Sequence, residues 1–252
     1  MRFSYSRIGC FANCPYQYKL RYIDELKTIP DQAADNALYL GTAIHTAFET
    51  GSVEEAIKSY RSNYYILTDA HINEEIKLEI LIPKVLARLP KAECEVEIST
   101  DEFVGFIDRL VYLFTDEQGI AHYEIWDYKY CNSKSIERYL QSGQLHIYKY
   151  YFEKTHPNTV VDALKYVFIP KVNIRQKKTE TIHQFRQRLR EVLETTEPIV
   201  RSINYNKDMI TDFSECCKYL LSCNEFPKNE TNLCGWCAYE PLCKRNEDWI
   251  LL

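Results

Sequence analysis

Two segments place charged residues where apolar, β-prone neighbours surround them. Asp108 sits in Val-Gly-Phe-Ile-Asp-Arg-Leu, and Asp127 and Lys129 sit in Tyr-Glu-Ile-Trp-Asp-Tyr-Lys-Tyr. In a strand, residues i and i+2 face the same way. Asp127 and Lys129 therefore project together, with Tyr128 pointing to the opposite face. If the strand carrying Asp108 is adjacent, two carboxylates and one ammonium converge. Such a set can hold Mg2+ or Mn2+ through oxygen ligands and leave the lysine to orient or activate a water. A buried ion pair is the competing reading of the same residues.

A second set is built of sulfur. The chain has 10 cysteines, and Cys234, Cys237 and Cys243 form a Cys-x2-Cys-x5-Cys group with Gly235 inside the first turn. Three thiolates require a fourth ligand, and no histidine follows in the tail. The N-terminus, Met-Arg-Phe-Ser-Tyr-Ser-Arg, carries no apolar signal segment, so an intracellular, cytoplasmic location is expected. In that setting metal ligation plus a few buried thiols is expected rather than a disulfide framework.

The elements that must position these residues change character along the chain. Helical periodicity covers 37–49, which carries His45 one turn before Glu49, and then 53–62 and 73–89, the last interrupted by Pro83. Before them, residues 4–26 suggest a short helix, a stop near Cys14 and a second helix. Strands are expected at 92–99, 103–114 and 121–130, with Thr-Asp-Glu-Gln-Gly as a hairpin turn. A helix at 136–153 follows, in which Gln144 and Tyr148 share a face, then a buried strand at 161–169. Helices are expected again at about 181–202 and 212–221, ahead of the cysteine-rich tail. The order predicts an α/β core, a mixed sheet flanked by helices, with helical additions at both ends. One domain spans 1–252: a mainly helical part to 90, a core over 91–170, and C-terminal helices with the cysteine segment over 171–252.

The whole-chain figures exclude little. At 252 residues, 46% apolar and 27% charged, the chain can bury a substantial core. No apolar run is long enough to span a membrane. Net charge is −5, but the charge is uneven. Between Lys165 and Arg190 lie eight basic residues (Lys165, Lys171, Arg175, Lys177, Lys178, Arg186, Arg188, Arg190) against Glu180 alone. That run, with Lys171, Arg175, Lys177 and Lys178 at its centre, can track phosphates; its plain alternative is a solvated hairpin tip and helix face.

Taken in order, these residues resemble the PD-(D/E)XK nuclease superfamily, in its RecB-like branch. His45 matches the helix histidine that precedes the core. Asp108 matches the first acidic motif, with Ile107 where the literal motif has proline. Asp127-Tyr128-Lys129 matches the acid-x-lysine motif, and Gln144 with Tyr148 matches Gln-x3-Tyr. The cysteines extend the resemblance to CRISPR-associated RecB-like exonucleases and AddB-type nucleases. In those proteins one N-terminal and three C-terminal cysteines hold a [4Fe-4S] cluster. Cys14, followed by Pro15, and Cys234, Cys237 and Cys243 fit that arrangement, with Cys10 a near competitor and Cys223 a weaker one. A four-sulfur set also suits zinc. Cys94, Cys131, Cys216 and Cys217 are read as buried or incidental thiols.

The resemblance implies a restriction-endonuclease-like fold whose ends are joined by the cysteine cluster. It implies that His45, Asp108, Asp127 and the Tyr128 backbone carbonyl ligate Mg2+ or Mn2+, that Lys129 positions or deprotonates water, and that Gln144 and Tyr148 orient DNA or support the site. The implied activity is a metal-dependent deoxyribonuclease, an exonuclease on single-stranded DNA or DNA ends. Recombination, repair, phage DNA processing and CRISPR adaptation are the settings it suggests. No Gly-x4-Gly-Lys-Ser/Thr loop is present, so any unwinding requires a helicase partner. Two further readings stay open: a silent DNA-binding or scaffold protein on the same fold, and a zinc-stabilised interaction protein.

Overall fold

The strand segments assemble into one mixed sheet in the computed structural model, which describes residues 2–248 and 251. Its strands are β1 (Glu93–Ser99), β2 (Val104–Thr115), β3 (Ala121–Cys131), β4 (Thr159–Pro170) and β5 (Ile199–Ile203), in spatial order β1-β2-β3-β4-β5. β2 and β3 are antiparallel. The turn between them is closed by Asp116, whose Oδ1 accepts the amides of Gln118 and Ile120, and by Gly119 at φ 80°. β3 and β4 run parallel, which demands a crossover rather than a hairpin. The helices Ile136–Leu140 (α6) and Gln144–Thr155 (α7) make that crossover.

The chain divides into two compact units. The larger comprises Gln32–Ile98 and Phe106–Tyr205. Its helices Ala37–Thr50 (α3), Val53–Arg61 (α4), Asp69–Leu86 (α5) and Ile182–Thr195 (α8) bury their apolar faces with Trp126, Tyr128, Val167 and Ile169 of the sheet. That burial fixes strand orientation. With Trp126 and Tyr128 committed to the helical core, Asp127 and Lys129 must face the other way. Asn36 caps α3 by accepting the amides of Leu38 and Tyr39, and Gly51, left-handed at φ 70°, ends it.

Three segments differ from the sequence expectation. The helix Asp69–Leu86 runs through Pro83 instead of breaking there; Leu78, Leu81, Ile82 and Val85 are buried on both sides of the proline and hold it. The expected helix at 136–153 is two helices with a break before Gln144, where Gly143 stands at the N-cap. The helix expected to about 202 stops at Thr195, and residues 199–203 become β5, antiparallel to β4. Pro198 explains this, because it disfavours helical backbone at Glu197.

The smaller unit comprises Met1–Asp31, Ser99–Gly105 and Asn206–Leu252. It contains Tyr5–Asn13 (α1), Pro15–Tyr18 (α2), a π turn at Lys19–Ile23, Asp208–Ser222 (α9), a 3-10 turn at Asn232–Trp236 and Glu240–Arg245 (α10). Phe11, Tyr18, Tyr219 and Phe226 pack their rings together. Hydrogen bonds join segments far apart in sequence: Tyr16 N to Pro227 O at 3.1 Å, Asn229 Nδ2 to Asn13 O at 2.7 Å, and Tyr239 OH to Leu26 O at 2.7 Å. No described helix is long and apolar enough to cross a membrane.

Candidate metal site and cysteine pocket

The β2–β3 register pairs Arg109 with Trp126, so one further step sets Asp108 across from Asp127. The ladder does not continue there as backbone pairing. Instead the Tyr128 amide donates to Asp108 Oδ2 at 2.9 Å. On the opposite face, Arg109 donates through Nε to the Tyr128 hydroxyl and through Nη2 to Phe48 O at 3.0 Å. The tyrosine between the two site residues is thus locked from both sides. Lys129 Nζ stands 2.6 Å from Asp127 Oδ2.

Two more elements bring ligands to this spot. α3 supplies His45, whose Nδ1 is 3.8 Å from Asp108 Oδ1 and 3.1 Å from Glu95 Oε1. β1 supplies Glu95. Ligand atoms of His45, Glu95 and Asp108 all lie within 4.8 Å of one another. Glu95 was not among the residues singled out in the sequence. Glu93, Glu95 and Glu97 alternate, and strand alternation would turn all three outward together. Glu95 departs from that alternation because its backbone is left-handed, φ 52°, an irregularity that costs energy and clusters at functional positions. The sequence carried no signal for that local twist.

The electrostatics fit a hard divalent cation. Asp127 is 1% exposed; the Lys129 ammonium lies against its Oδ2, and its Oδ1 has no hydrogen-bond partner among the described residues. A buried carboxylate oxygen left without a partner is costly, and a cation beside Oδ1 would offset that cost. Burial and the neighbouring Asp127 carboxylate push Asp108 up to about 7, against the pull of His45, Lys129 and the Tyr128 amide. Burial opposes charge on His45, but the Glu95 hydrogen bond and the carboxylates outweigh it and raise its pKa. Lys129 is likewise raised: desolvation is overcome by Asp127 and Asp108. Lys129 therefore keeps its proton in this field.

α7 closes the site's flank. Gln144 Nε2 donates to the Tyr148 hydroxyl at 3.2 Å, as their spacing predicted. Burial raises Tyr148 to about 12, and the carboxylates of Asp127 and Asp108 add to it. Tyr139 on α6 places its ring 5.6 Å from Lys129 Nζ.

The basic run does not form one patch. Lys165 binds Glu124 at 2.7 Å, and Lys171 lies 3.4 Å from Asp35. Arg186 meets Asp69 at 2.7 Å, Arg188 clasps Glu180 at 2.7 Å, and Arg190 lies 3.6 Å from Glu79. Arg175, Lys177 and Lys178 stay exposed in the loop before α8.

In the smaller unit, Cys14, Cys234, Cys237 and Cys243 line one cavity of about 230 Å3. Cys14 Sγ, capping α2, accepts the Gln17 amide at 3.4 Å. Cys234 Sγ accepts the Thr231 amide at 3.4 Å, and Cys237 interacts with the Tyr239 amide. Burial, chiefly, raises the pKa of Cys237 against the pull of that amide. Cys10 is close to Cys14 and Cys237 but is not part of the cavity lining; burial, chiefly, raises its pKa. Cys223 donates to Glu225 O instead. Cys131 and Cys217 are buried, Cys94 and Cys216 half-buried.

Comparison with known families places these residues in context. The family model of the PD-(D/E)XK nuclease superfamily matches residues 2–244. That range covers nearly the whole chain, and the chain belongs to this superfamily. Comparison with curated proteins gives no match.

Proposed function

We propose that this member of the PD-(D/E)XK nuclease superfamily is a Mg2+- or Mn2+-dependent deoxyribonuclease of the RecB-like branch, acting on single strands or DNA ends. The observation that carries the reading is the buried Asp127 carboxylate, its Oδ1 without a hydrogen-bond partner among the described residues and its Oδ2 against Lys129, close to Asp108 and His45. Asp108, Asp127 and His45, with the Tyr128 carbonyl, would hold the cation, and Glu95 stands beside His45 and Asp108 as a further ligand or support. When bound, it supplies a lowered pKa for the attacking water and offsets charge growing on the scissile phosphate.

The remaining work falls to the chain. Lys129, held protonated by two carboxylates, orients the water and shields the phosphate's charge. Arg109 fixes Tyr128 and with it the direction in which Asp127 and Lys129 point. Gln144 and Tyr148 brace the site from α7 and are placed to meet DNA. Arg175, Lys177 and Lys178 are the exposed basic residues available for phosphates, with Lys171 beside them.

Within the same reading, Cys14, Cys234, Cys237 and Cys243 hold a structural [4Fe-4S] cluster, with zinc as the other occupant suited to four sulfurs. The shared cavity and the amide donors to sulfur support this choice of ligands. Cytoplasmic work on recombining, damaged, phage or CRISPR-derived DNA, beside a helicase where duplex must be opened, follows from the same branch. The test is digestion of 5′- and 3′-labelled single strands, linear duplex and closed circles with Mg2+, Mn2+ or chelator. Metal-dependent cleavage lost in Asp108→Ala and Lys129→Ala supports the reading. A pure, metal-loaded wild type that binds DNA without cutting it favours the silent scaffold.

A further inference from the structure

Pro227, Lys228 and Asn229 form a strap along the cysteine pocket of the smaller unit, and each reaches a cysteine-bearing segment. Pro227 O accepts the amide of Tyr16, just past Cys14 and Pro15, at 3.1 Å. Asn229 Nδ2 donates to Asn13 O, just before Cys14, at 2.7 Å, and Asn229 O lies 3.8 Å from the Cys234 sulfur. Lys228 Nζ donates to the carbonyl of Cys243 itself at 2.6 Å and stands 5.1 Å from the centre of the Tyr16 ring. The strap thus ties the Cys14 segment to Cys234 and Cys243, which lie at the other end of the chain.

Lys228 is also the cation of this pocket whose charge is left over. Glu230 and Glu240 line the cavity with the four cysteines, so its surroundings are acidic even before the sulfurs are counted. Lys244, the other lysine in the lining, faces Glu240 at 3.8 Å. Lys228 meets a carbonyl and a ring face, neither of which carries a net charge. Four thiolates around a zinc ion, or around an oxidised four-iron cluster, leave a net charge of about −2. An ammonium beside them lowers the cost of that excess. We propose that Lys228 is the counter-charge of the four-cysteine centre and the positioning residue that draws its Cys14 and Cys243 segments together. This rests on the reading of Cys14, Cys234, Cys237 and Cys243 as metal ligands and adds the residue that helps to retain the metal.

Metal retention in a charge series gives the test. Lys228→Arg, Lys228→Met and Lys228→Glu are purified without air beside wild type and Cys237→Ala. Bound metal is counted by elemental analysis, and its release to excess EDTA is followed at low and high salt. Lys228 is exposed, so these variants keep the fold. Release should be about threefold faster in Lys228→Met and roughly tenfold faster in Lys228→Glu, with Lys228→Arg close to wild type. The differences should narrow at high salt, because an exposed charge is screened. If the strap acted only as a tie, Lys228→Met and Lys228→Glu would release metal equally at every salt concentration, and that result overturns the counter-charge. Release at the wild-type rate in both also overturns it, as does Lys228→Arg behaving like Lys228→Met. A wild type without metal overturns the cysteine reading and this inference together. A wild type whose metal is lost in Cys237→Ala keeps the cysteine reading, and the charge series then decides the role of Lys228 alone.

Discussion

The sheet site and the cysteine pocket both gather ligands from distant parts of the sequence, but by different physical means. Around Asp108 and Asp127 the protein places charge in a scaffold already rigid without it. β3 has paired neighbours on both sides, Trp126 and Tyr128 anchor its back face in the helical core, and Arg109 pins Tyr128. The cysteine pocket has no such frame. Its cysteines sit at the N-cap of a four-residue helix, in and at the end of a 3-10 turn, and on a six-residue helix, and Trp236 beside them is 89% exposed. The first site spends stability to hold charges together; on the proposed reading the second gains stability from a bound metal.

That contrast sets what each substitution should do. The largest effect is on chemistry: Asp127→Asn should lower metal-dependent cleavage on the order of 10³-fold, with the thermal midpoint unchanged or raised, measured on labelled DNA and by melting. Cys237→Ala should behave in the opposite sense. Loss of a structural metal ligand costs on the order of several kcal/mol, so bound metal disappears and the melting point drops. A Cys237→Ala protein as stable as wild type would erase the distinction between the regions. Glu95→Gln should weaken Mn2+ binding by about tenfold, read by calorimetry.

A pH series probes the same carboxylates. Asp108's folded pKa lies above its unfolded value, so the metal-free protein loses this group's contribution to stability as pH rises through about 7. A cation competes with the same proton, and with the one His45 retains. Mn2+ affinity should therefore climb with pH below neutrality, by about tenfold per pH unit for each proton displaced. The smallest effect should come from Cys10→Ala, which leaves metal content unchanged while Cys14→Ala does not; elemental analysis of both separates a bystander from a ligand.

Much of the sheet site was legible from residue pattern. Period-two alternation put Asp127 and Lys129 on one face, helical spacing joined Gln144 to Tyr148, and the motif order connected them to His45. What escaped was set by backbone detail that no pattern encodes. Glu95 was hidden by three alternating glutamates and reached the site through a left-handed residue. β5 was hidden in an apparent helix tail until Pro198 ended it. The basic run looked like a phosphate track because its acidic partners, Asp35, Asp69, Glu79 and Glu124, lie far away in sequence. Cys10 and Cys14 were indistinguishable by spacing; Cys14 caps α2 and lines the cavity, whereas Cys10 stands close by without lining it.

On the proposed reading, the buried Asp127 carboxylate and its neighbours hold a divalent cation. Calorimetric titration of Mn2+ into wild type and Asp127→Asn, side by side above neutral pH, tests it most directly. Saturable binding is expected in wild type and is lost in Asp127→Asn while the fold is kept. Equal Mn2+ binding by the two proteins, or none by wild type, would contradict it.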